Sequence, residues 1–414
     1  MRKLTDPQPT YDVPSHIPET NEDNPRGQLV QTSIGHEQWP SIIFGAGTLG
    51  AGIYNSEEVL DSPEPLRTVR LALRYGIRAF DTSAYYGTSE IVLGSILKAV
   101  ADEFPRESYK IVSGYEWMKQ SSNHQYPCPF QATKCGRYGV VAEDFDYSRN
   151  TIRKSVQRSL ERLGTSYLDV VFLHDVEYVC SPVWPADPTG DPTKIIEDQA
   201  LMAAWGINGG DEGRVHGDGD QKIVDAFDEL KKMKEEGIIR QIGFTGYPLP
   251  VLLRLARLVA AKGNPADIIL SYSHHNLQNH SFEAFAPLLL KTGVKQLLTA
   301  SPFNMGYLTD RMPAWHPAPP EMVSLRDNRL LKLTENWPGG LPNLAAGYAF
   351  RRNSGVMADI PTVAGFSRTS EVHEAVSVWH EVTSGVPNTR HDLELTVIQT
   401  MAEWRNYSWK SPPT

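Results

Sequence analysis

Along most of the chain, short apolar or β-branched runs alternate with longer amphipathic stretches, and glycine or proline punctuates each pair. "SIIFGAGTLG" reads as a strand entering a glycine-rich turn. "EPLRTVRLALRYG" reads as a helix with Leu66, Val69, Leu71, Leu73 and Tyr75 on its inner side, stopped by Gly76. The same alternation predicts strands at "RAFDTS", "FQATKCG", "LDVVFLHD", "IRQIGFTG", "DIILSYSHH", "QLLTASP" and "DIPTVAGFS". Helical patterns such as "SEIVLGSILKAVADEF", "TIRKSVQRSLERLG" and "VLLRLARLVAAKG" lie between them. "TSEVHEAVSVWHEV" supplies the eighth helix, and "DLELTVIQTMAEWRNYSW" an extra C-terminal one. Strands that are apolar throughout are buried on both faces, so they run parallel and are covered by the helices that follow them. Eight such units predict a single-domain α/β fold, a closed (β/α)8 TIM barrel over residues 39–414, with residues 1–38 as a flexible N-terminal tail.

Composition narrows the partners. A chain of 414 residues with 40% hydrophobic content is ample for such a core. The net charge of -9 is spread out and no Lys/Arg cluster stands out, so neither nucleic acid nor a membrane surface is an expected partner. The polar, proline-rich start has no apolar leader, and no stretch approaches the roughly 20 apolar residues that span a bilayer. Cys128, Cys135 and Cys180 form no CxxC pair, which points to a reducing compartment. These features predict a cytoplasmic protein, monomeric or weakly homo-oligomeric, acting on a small molecule.

Functional residues of a parallel barrel stand where its strands end. Asp81 ends the second strand, Lys134 the third and His174 the fourth, while Tyr86 lies in the loop five residues past Asp81. Singly, each has a plain structural role open to it: a turn cap, a packing aromatic, a surface cation, a core histidine. Jointly they do not, because charged side chains at the ends of buried strands are costly unless paired, and here an acid and an amine occupy neighbouring strand ends. The set suits acid–base chemistry on an oxygen. A free phenol titrates at about 10, so an adjacent ammonium is needed to favour the phenolate. Lys134 supplies it, Asp81 keeps Lys134 charged, and neutral His174 donates a hydrogen bond to the substrate oxygen.

"DTSAYYG", "TKCGRYG" and "LDVVFLHD" resemble the signature segments of the aldo-keto reductases, and the likeness runs from about residue 40 to about residue 380. It implies a single barrel whose tyrosine, lysine, aspartate and histidine move a hydride between a nicotinamide and a carbonyl or alcohol. The family separates its aspartate and tyrosine by five residues, which selects Tyr86 over Tyr85; Lys134 and His174 match the other two members. "GFTGYPL", "SYSHHNLQN" and "ASPFNMGYLT" are most similar to the sugar-oxidising branch, of the D-arabinose and L-galactose dehydrogenase kind, which converts the anomeric carbon to a lactone chiefly with NAD.

The resemblance also implies a cofactor laid across the barrel mouth, on Thr245 and Gly246 after strand five, Tyr272 on strand six, Ser301 and Phe303 after strand seven, and Gly365 and Ser367 after strand eight. NADP-preferring members carry a basic residue one turn into the eighth helix, where this chain has Glu371; Ala375 replaces a family asparagine, and Arg368 offers a substitute cation. The carboxylate favours NAD, with NADP possible. Metal ligation is not expected: "GDEGRVHGDGD" lacks the terminal glutamate of a calcium loop, and His274 and His275 point to opposite faces of a strand. His274 is free to reach the substrate instead.

Two insertions interrupt the pattern. Residues 113–132 split "YKIV" from "TKCGRYG", and read either as a surface loop or as a translated intron; in the second case "FQATK" has to replace "YKIV" as the third strand for Lys134 to be placed. Residues 178–220 leave the catalytic mouth, and Trp184 and Trp205 are candidates to line a substrate pocket. Two alternatives stand beside a sugar dehydrogenase: an NADPH-dependent aldehyde or ketone reductase of secondary metabolism, and a nucleotide-binding regulatory subunit without turnover. A metal-dependent sugar isomerase ranks last, since Asp81 and Asp175 are nearly the only inward carboxylates.

Overall fold

A computed structural model of the protein describes residues 19–30, 34, 39–52, 54–106, 130–351 and 355–411. Eight parallel strands close into a barrel in sequence order: β1 (Ile42–Gly45), β2 (Ala79–Asp81), β3 (Phe130–Cys135), β4 (Leu168–Leu173), β5 (Ile239–Gly246), β6 (Ile268–Tyr272), β7 (Gln296–Ala300) and β8 (Thr362–Gly365), with β8 pairing back onto β1. All eight are the strands expected from the apolar runs. The outer helices are α1 (Glu64–Arg74), α2 (Ser89–Ala99), α3 (Arg149–Leu163), α4 (Asp218–Glu235), α5 (Leu249–Ala261), α6 (Phe282–Leu290), α7 (Gly340–Phe350) and α8 (Thr369–Ser384), followed by the additional α9 (Asn388–Met401).

Alternation along the strands divides the core into two layers. Ile42, Phe44, Phe80, Val171, Leu173 and Ile269 face outward and pack beneath the helices. Ile43, Ala79, Ala132, Val170, Phe172, Leu270 and Val363 face inward and fill the lumen, so the barrel is a solid core with its chemistry confined to one end. Trp39, which pairs with Ile34 in an antiparallel bridge just before β1, joins this inner cluster.

β3 begins at Phe130, so "FQATK" does serve as the third strand: Asp81 pairs with Ala132, and Lys134 with Phe172. The remainder of the inserted segment, residues 113–129, lies outside the described residues.

Residues 19–30, within the loose tail expected through residue 38, are docked on the barrel. Residues 21–23 form a 3₁₀ turn capped by Thr20, and buried Asp23 takes a two-pronged ion pair from Arg67 on α1, 2.7 and 2.8 Å. The Arg26 amide donates to the Tyr75 phenol at 2.7 Å, and buried Val30 bonds the Tyr75 carbonyl at 2.8 Å. Proline and polar residues disguise a segment that is fastened through specific tertiary hydrogen bonds.

The second insertion is also structured. It holds a short helix (Gln199–Ala204) and returns into α4 at Asp220, whose fully buried carboxylate accepts from Arg254 at 2.6 Å and from the Ser181 and His216 amides at 3.0 Å each. Trp205 belongs to the outer core and Trp184 packs against that core, their rings 6.5 Å apart. Trp205 is thus a core aromatic rather than the pocket lining expected of it, while Trp184 stays half-buried beside it.

Candidate active site

The side-chain period of two places chemistry one layer above the apolar lumen. Ala79, Ala132 and Phe172 line the interior, and Asp81, Lys134 and His174 each stand two residues further on; all three are buried, at 5%, 2% and 4% exposure. Lys134 Nζ donates to Asp81 Oδ2 at 2.6 Å, to the Thr82 carbonyl at 3.1 Å and to Tyr86 Oη at 3.2 Å. An ammonium has three protons, and each has its acceptor. Because Tyr86 Oη accepts from Lys134, its own proton is left to point into the mouth. Tyr85 takes a different position, with the Arg137 guanidinium 3.9 Å above its ring.

His174 stands with its ring perpendicular to that of Tyr86, centroids 5.7 Å apart. Its Nδ1 lies 2.9 Å from Ser83 Oγ and its Nε2 3.6 Å from Asp175 Oδ2. Burial, followed by the charges of Lys134 and Arg137, holds the imidazole well below its ordinary pKa, so it is neutral at pH 7.

The phenol of Tyr86 behaves differently from expectation. Lys134 does pull its pKa down, but burial acts more strongly and Asp81 and Asp175 add to it, so the net direction is upward. Burial likewise opposes the charge on Lys134, where Asp81 and Tyr86 outweigh it and raise the ammonium's pKa. Tyr86 is therefore a phenol at neutral pH, poised to donate a proton.

Several further residues of the mouth have no catalytic role assigned by the sequence. Arg137 ion-pairs with Asp175, and Asp175 opens the loop after β4 in a left-handed conformation, φ 55°. Glu177 is buried beside β5: its Oε1 accepts the Tyr247 amide at 3.1 Å and the Ser411 hydroxyl at 2.9 Å, and burial together with the Asp175 charge pushes its pKa up to about 8. Its other oxygen would lie 2.6 Å from a β-carbon at position 246, which explains the glycine there. "GRYG" and "FLHD" did contain Arg137 and Asp175 beside recognised positions, whereas Glu177 is held by the Tyr247 amide and by Ser411, 234 positions away.

The expected cofactor positions ring the same end of the barrel. Thr245 is buried and its Oγ1 accepts the Asp175 amide at 3.4 Å. Tyr272, at the end of β6, packs its ring 5.4 Å from Tyr247. Ser301 has φ 63° and accepts the Met305 amide at 2.7 Å, and Phe303 is half-buried nearby. Gly365 is exposed at the end of β8. Ser367 donates its amide to Glu371 Oε2 at 2.7 Å and accepts from Asn55 at 3.0 Å, while exposed Arg368 lies 3.8 Å from Glu371. His274 is not available to a substrate: Nδ1 bonds Ser271 Oγ at 3.1 Å and Nε2 bonds Ser408 Oγ at 3.2 Å. The C-terminal segment that supplies Ser408 also stacks Trp409 on Tyr247, centroids 5.1 Å apart.

The mouth carries polar groups suited to a ligand with hydroxyls and phosphates. Ser273, next to β6 with φ 62°, keeps a buried hydroxyl oxygen without a hydrogen-bond partner. The end of β8 offers the exposed Gly365, the N-terminus of α8 and the exposed Arg368 side chain, groups of the kind that bind phosphates. Among the described residues no group of three or more His, Cys, Asp or Glu side chains is arranged to hold a metal ion, and no helix is long and apolar enough to cross a membrane.

A closed parallel barrel with a buried acid, ammonium and imidazole around one phenol defines a single-barrel site built for proton transfer on an oxygen. The model of the aldo/keto reductase family matches residues 41–385, and the chain belongs to that family. Among curated relatives, D-arabinose 1-dehydrogenase of Saccharomyces cerevisiae is 31% identical over 81% of this chain and 83% of its own. L-Galactose dehydrogenase of Arabidopsis thaliana is 34% identical over 69% of this chain and 68% of its own. An aldo-keto reductase of Bacillus halodurans shares the fold, with a TM-score of 0.54 at 19% identity over 89% of this chain and 96% of that one.

Proposed function

We propose that the protein is a cytoplasmic, NAD-preferring aldose 1-dehydrogenase that oxidises the anomeric hydroxyl of a sugar such as D-arabinose to the lactone. The observation that carries this reading is Lys134 Nζ bonding Asp81 and the Tyr86 phenol at once, beside a neutral imidazole. The relatives named as D-arabinose 1-dehydrogenase and L-galactose dehydrogenase support the sugar. Two buried thiols, Cys135 and Cys180, suit a reducing compartment.

In this mechanism Tyr86, as phenolate, accepts the proton of the anomeric hydroxyl while Lys134 stabilises its charge and His174 Nε2 holds the sugar oxygen. The nicotinamide, when bound, supplies the acceptor for the hydride that leaves the same carbon. Asp81 keeps Lys134 ionised in the buried site. Thr245, Gly246, Tyr272, Ser301, Phe303, Gly365 and Ser367 hold the cofactor, and Glu371, bonded to the Ser367 amide, disfavours a 2′-phosphate by like charge.

A second reading has one observation in its favour: the Tyr86 phenol is held protonated at neutral pH, which suits donation to a carbonyl and hence reduction of an aldehyde or ketone. One assay separates them. Purified protein mixed with NAD or NADP and a panel of pentoses, hexoses and aldehydes, followed at the absorbance of reduced cofactor, should reduce NAD with a pentose. Consumption of reduced cofactor by aldehydes with no sugar oxidation would establish the reductase instead.

A further inference from the structure

Ser83 lies two residues beyond β2 and is fully buried. Its hydroxyl oxygen accepts the Tyr85 amide at 3.0 Å and sits 2.9 Å from His174 Nδ1. A serine hydroxyl carries a single proton, and neutral imidazole carries one proton on one of two nitrogens. If that ring proton were on Nδ1, the serine oxygen would accept twice, and its own proton would be buried with no acceptor among the described residues. The Nε2 lone pair would then face the Asp175 carboxylate 3.6 Å away. Both contacts are unfavourable. With the ring proton on Nε2, Ser83 donates to Nδ1, and Nε2–H points toward the Asp175 carboxylate, which is ion-paired with Arg137.

We propose that Ser83 is a positioning residue that fixes the tautomer of His174, keeping the proton on Nε2 so that this nitrogen is the donor to the substrate oxygen. Only the last step rests on the oxidoreductase mechanism above; the tautomer is a property of the protein alone. Three elements enforce it: the loop after β2 through Ser83, the loop after β3 through Arg137, and the loop after β4 through Asp175. The Tyr147 phenol, donating to the His174 carbonyl at 2.7 Å, anchors the backbone from which the ring projects.

The test is two-bond proton–nitrogen correlation NMR on the full chain labelled at histidine nitrogens at neutral pH, with His174 assigned from its absence in His174→Gln. The wild-type protein should show Nδ1 as an unprotonated, hydrogen-bond-accepting nitrogen and Nε2 as protonated. Ser83→Ala should move the Nδ1 resonance and populate the other tautomer. Its kcat should fall roughly ten- to a hundredfold, as for other partners that orient a functional imidazole from behind, with the Kd for NAD unchanged. Ser83→Thr, which keeps the hydroxyl, should restore the spectrum and most of the rate. A wild-type ring protonated at Nδ1 overturns the proposal, and so does a Ser83→Ala protein with unchanged tautomer and kcat. Should the alanine variant fail to fold, the wild-type spectrum alone decides. A protein that shows the expected tautomer but oxidises no sugar contradicts the proposed function and leaves this assignment standing.

Discussion

Lys134 Nζ lies 3.2 Å from Tyr86 Oη, a contact made across 48 positions of sequence by β3 and the loop that follows β2. The direction of this hydrogen bond matters as much as its length. Tyr86 accepts from the ammonium and is left with a proton to give, and the pKa of that proton is set by a contest between burial and the neighbouring charge.

Burial wins, so the phenolate required for alcohol oxidation is scarce at neutral pH. Its population rises tenfold per pH unit below the phenol's pKa, and kcat for oxidation should therefore climb steadily from pH 7 toward 10, a value already about that of an unperturbed tyrosine. Reduction of a carbonyl uses the phenol form and should be flat near neutrality. His174 is neutral well below its ordinary 6.5 and adds no acidic limb there. Profiles of kcat against pH in both directions check this, and an oxidation rate that falls above pH 7 would contradict it.

On the proposed function, cofactor choice is set by Glu371, which accepts the Ser367 amide at 2.7 Å beside Arg368. Glu371→Gln removes the negative charge and keeps an acceptor. The ratio of kcat/KM for NADP to that for NAD should rise by roughly twofold to fivefold, the scale of one partly exposed charge interaction. An unchanged ratio would assign the preference to another residue.

The fastening of the long loop after β4 is a stability question. Asp220→Ala leaves the Arg254 guanidinium, 3% exposed, without its carboxylate, and strips two amides of their acceptor. Removing one partner of a buried pair costs about 3–5 kcal/mol. Urea unfolding should show that loss, and a difference under about 1 kcal/mol would mean that water satisfies the arginine.

Glu177 makes stability depend on pH with a definite sign. Its carboxyl titrates at 4.5 when unfolded and at about 8 when folded, so between those values the folded state holds a proton that the unfolded state has released. Stability from this group is present below pH 4.5 and falls as pH climbs to 8. Glu177→Gln, which keeps an oxygen for the Tyr247 amide and the Ser411 hydroxyl, should melt higher than wild type at pH 8 and by a smaller margin at pH 5. A constant difference across that range would show that Glu177 does not titrate within it.

Much of this architecture is legible without coordinates, for a physical reason. Strands buried on both faces are written as continuous apolar runs, and a polar residue that closes such a run must be paired, which singles out Asp81, Lys134 and His174. What is not legible depends on distant chain. His274 looked free until Ser408, 134 residues later, took its Nε2. Trp205 reads as a pocket aromatic because nothing local records that it turns into the core. Residues 19–30 have a tail's composition, and only the placement of Arg67 and Tyr75 shows that they are docked. The helix Pro320–Leu325 and the π-turn after it carry too short a pattern to stand out. Residue types also leave the balance of burial against charge at Tyr86 unstated, which is why its pKa moves opposite to expectation.

The central claim is that Tyr86 carries the proton. Tyr86→Phe deletes one oxygen, leaves Lys134 bonded to Asp81 and the Thr82 carbonyl, and leaves the cofactor positions intact. Measured by stopped-flow turnover with an oxidisable pentose, beside titration of NAD by fluorescence, the variant should lose about a hundredfold to ten-thousandfold in kcat with an unchanged Kd for NAD, while Tyr85→Phe keeps most of its rate. Turnover that survives in Tyr86→Phe and disappears in Tyr85→Phe would contradict the account.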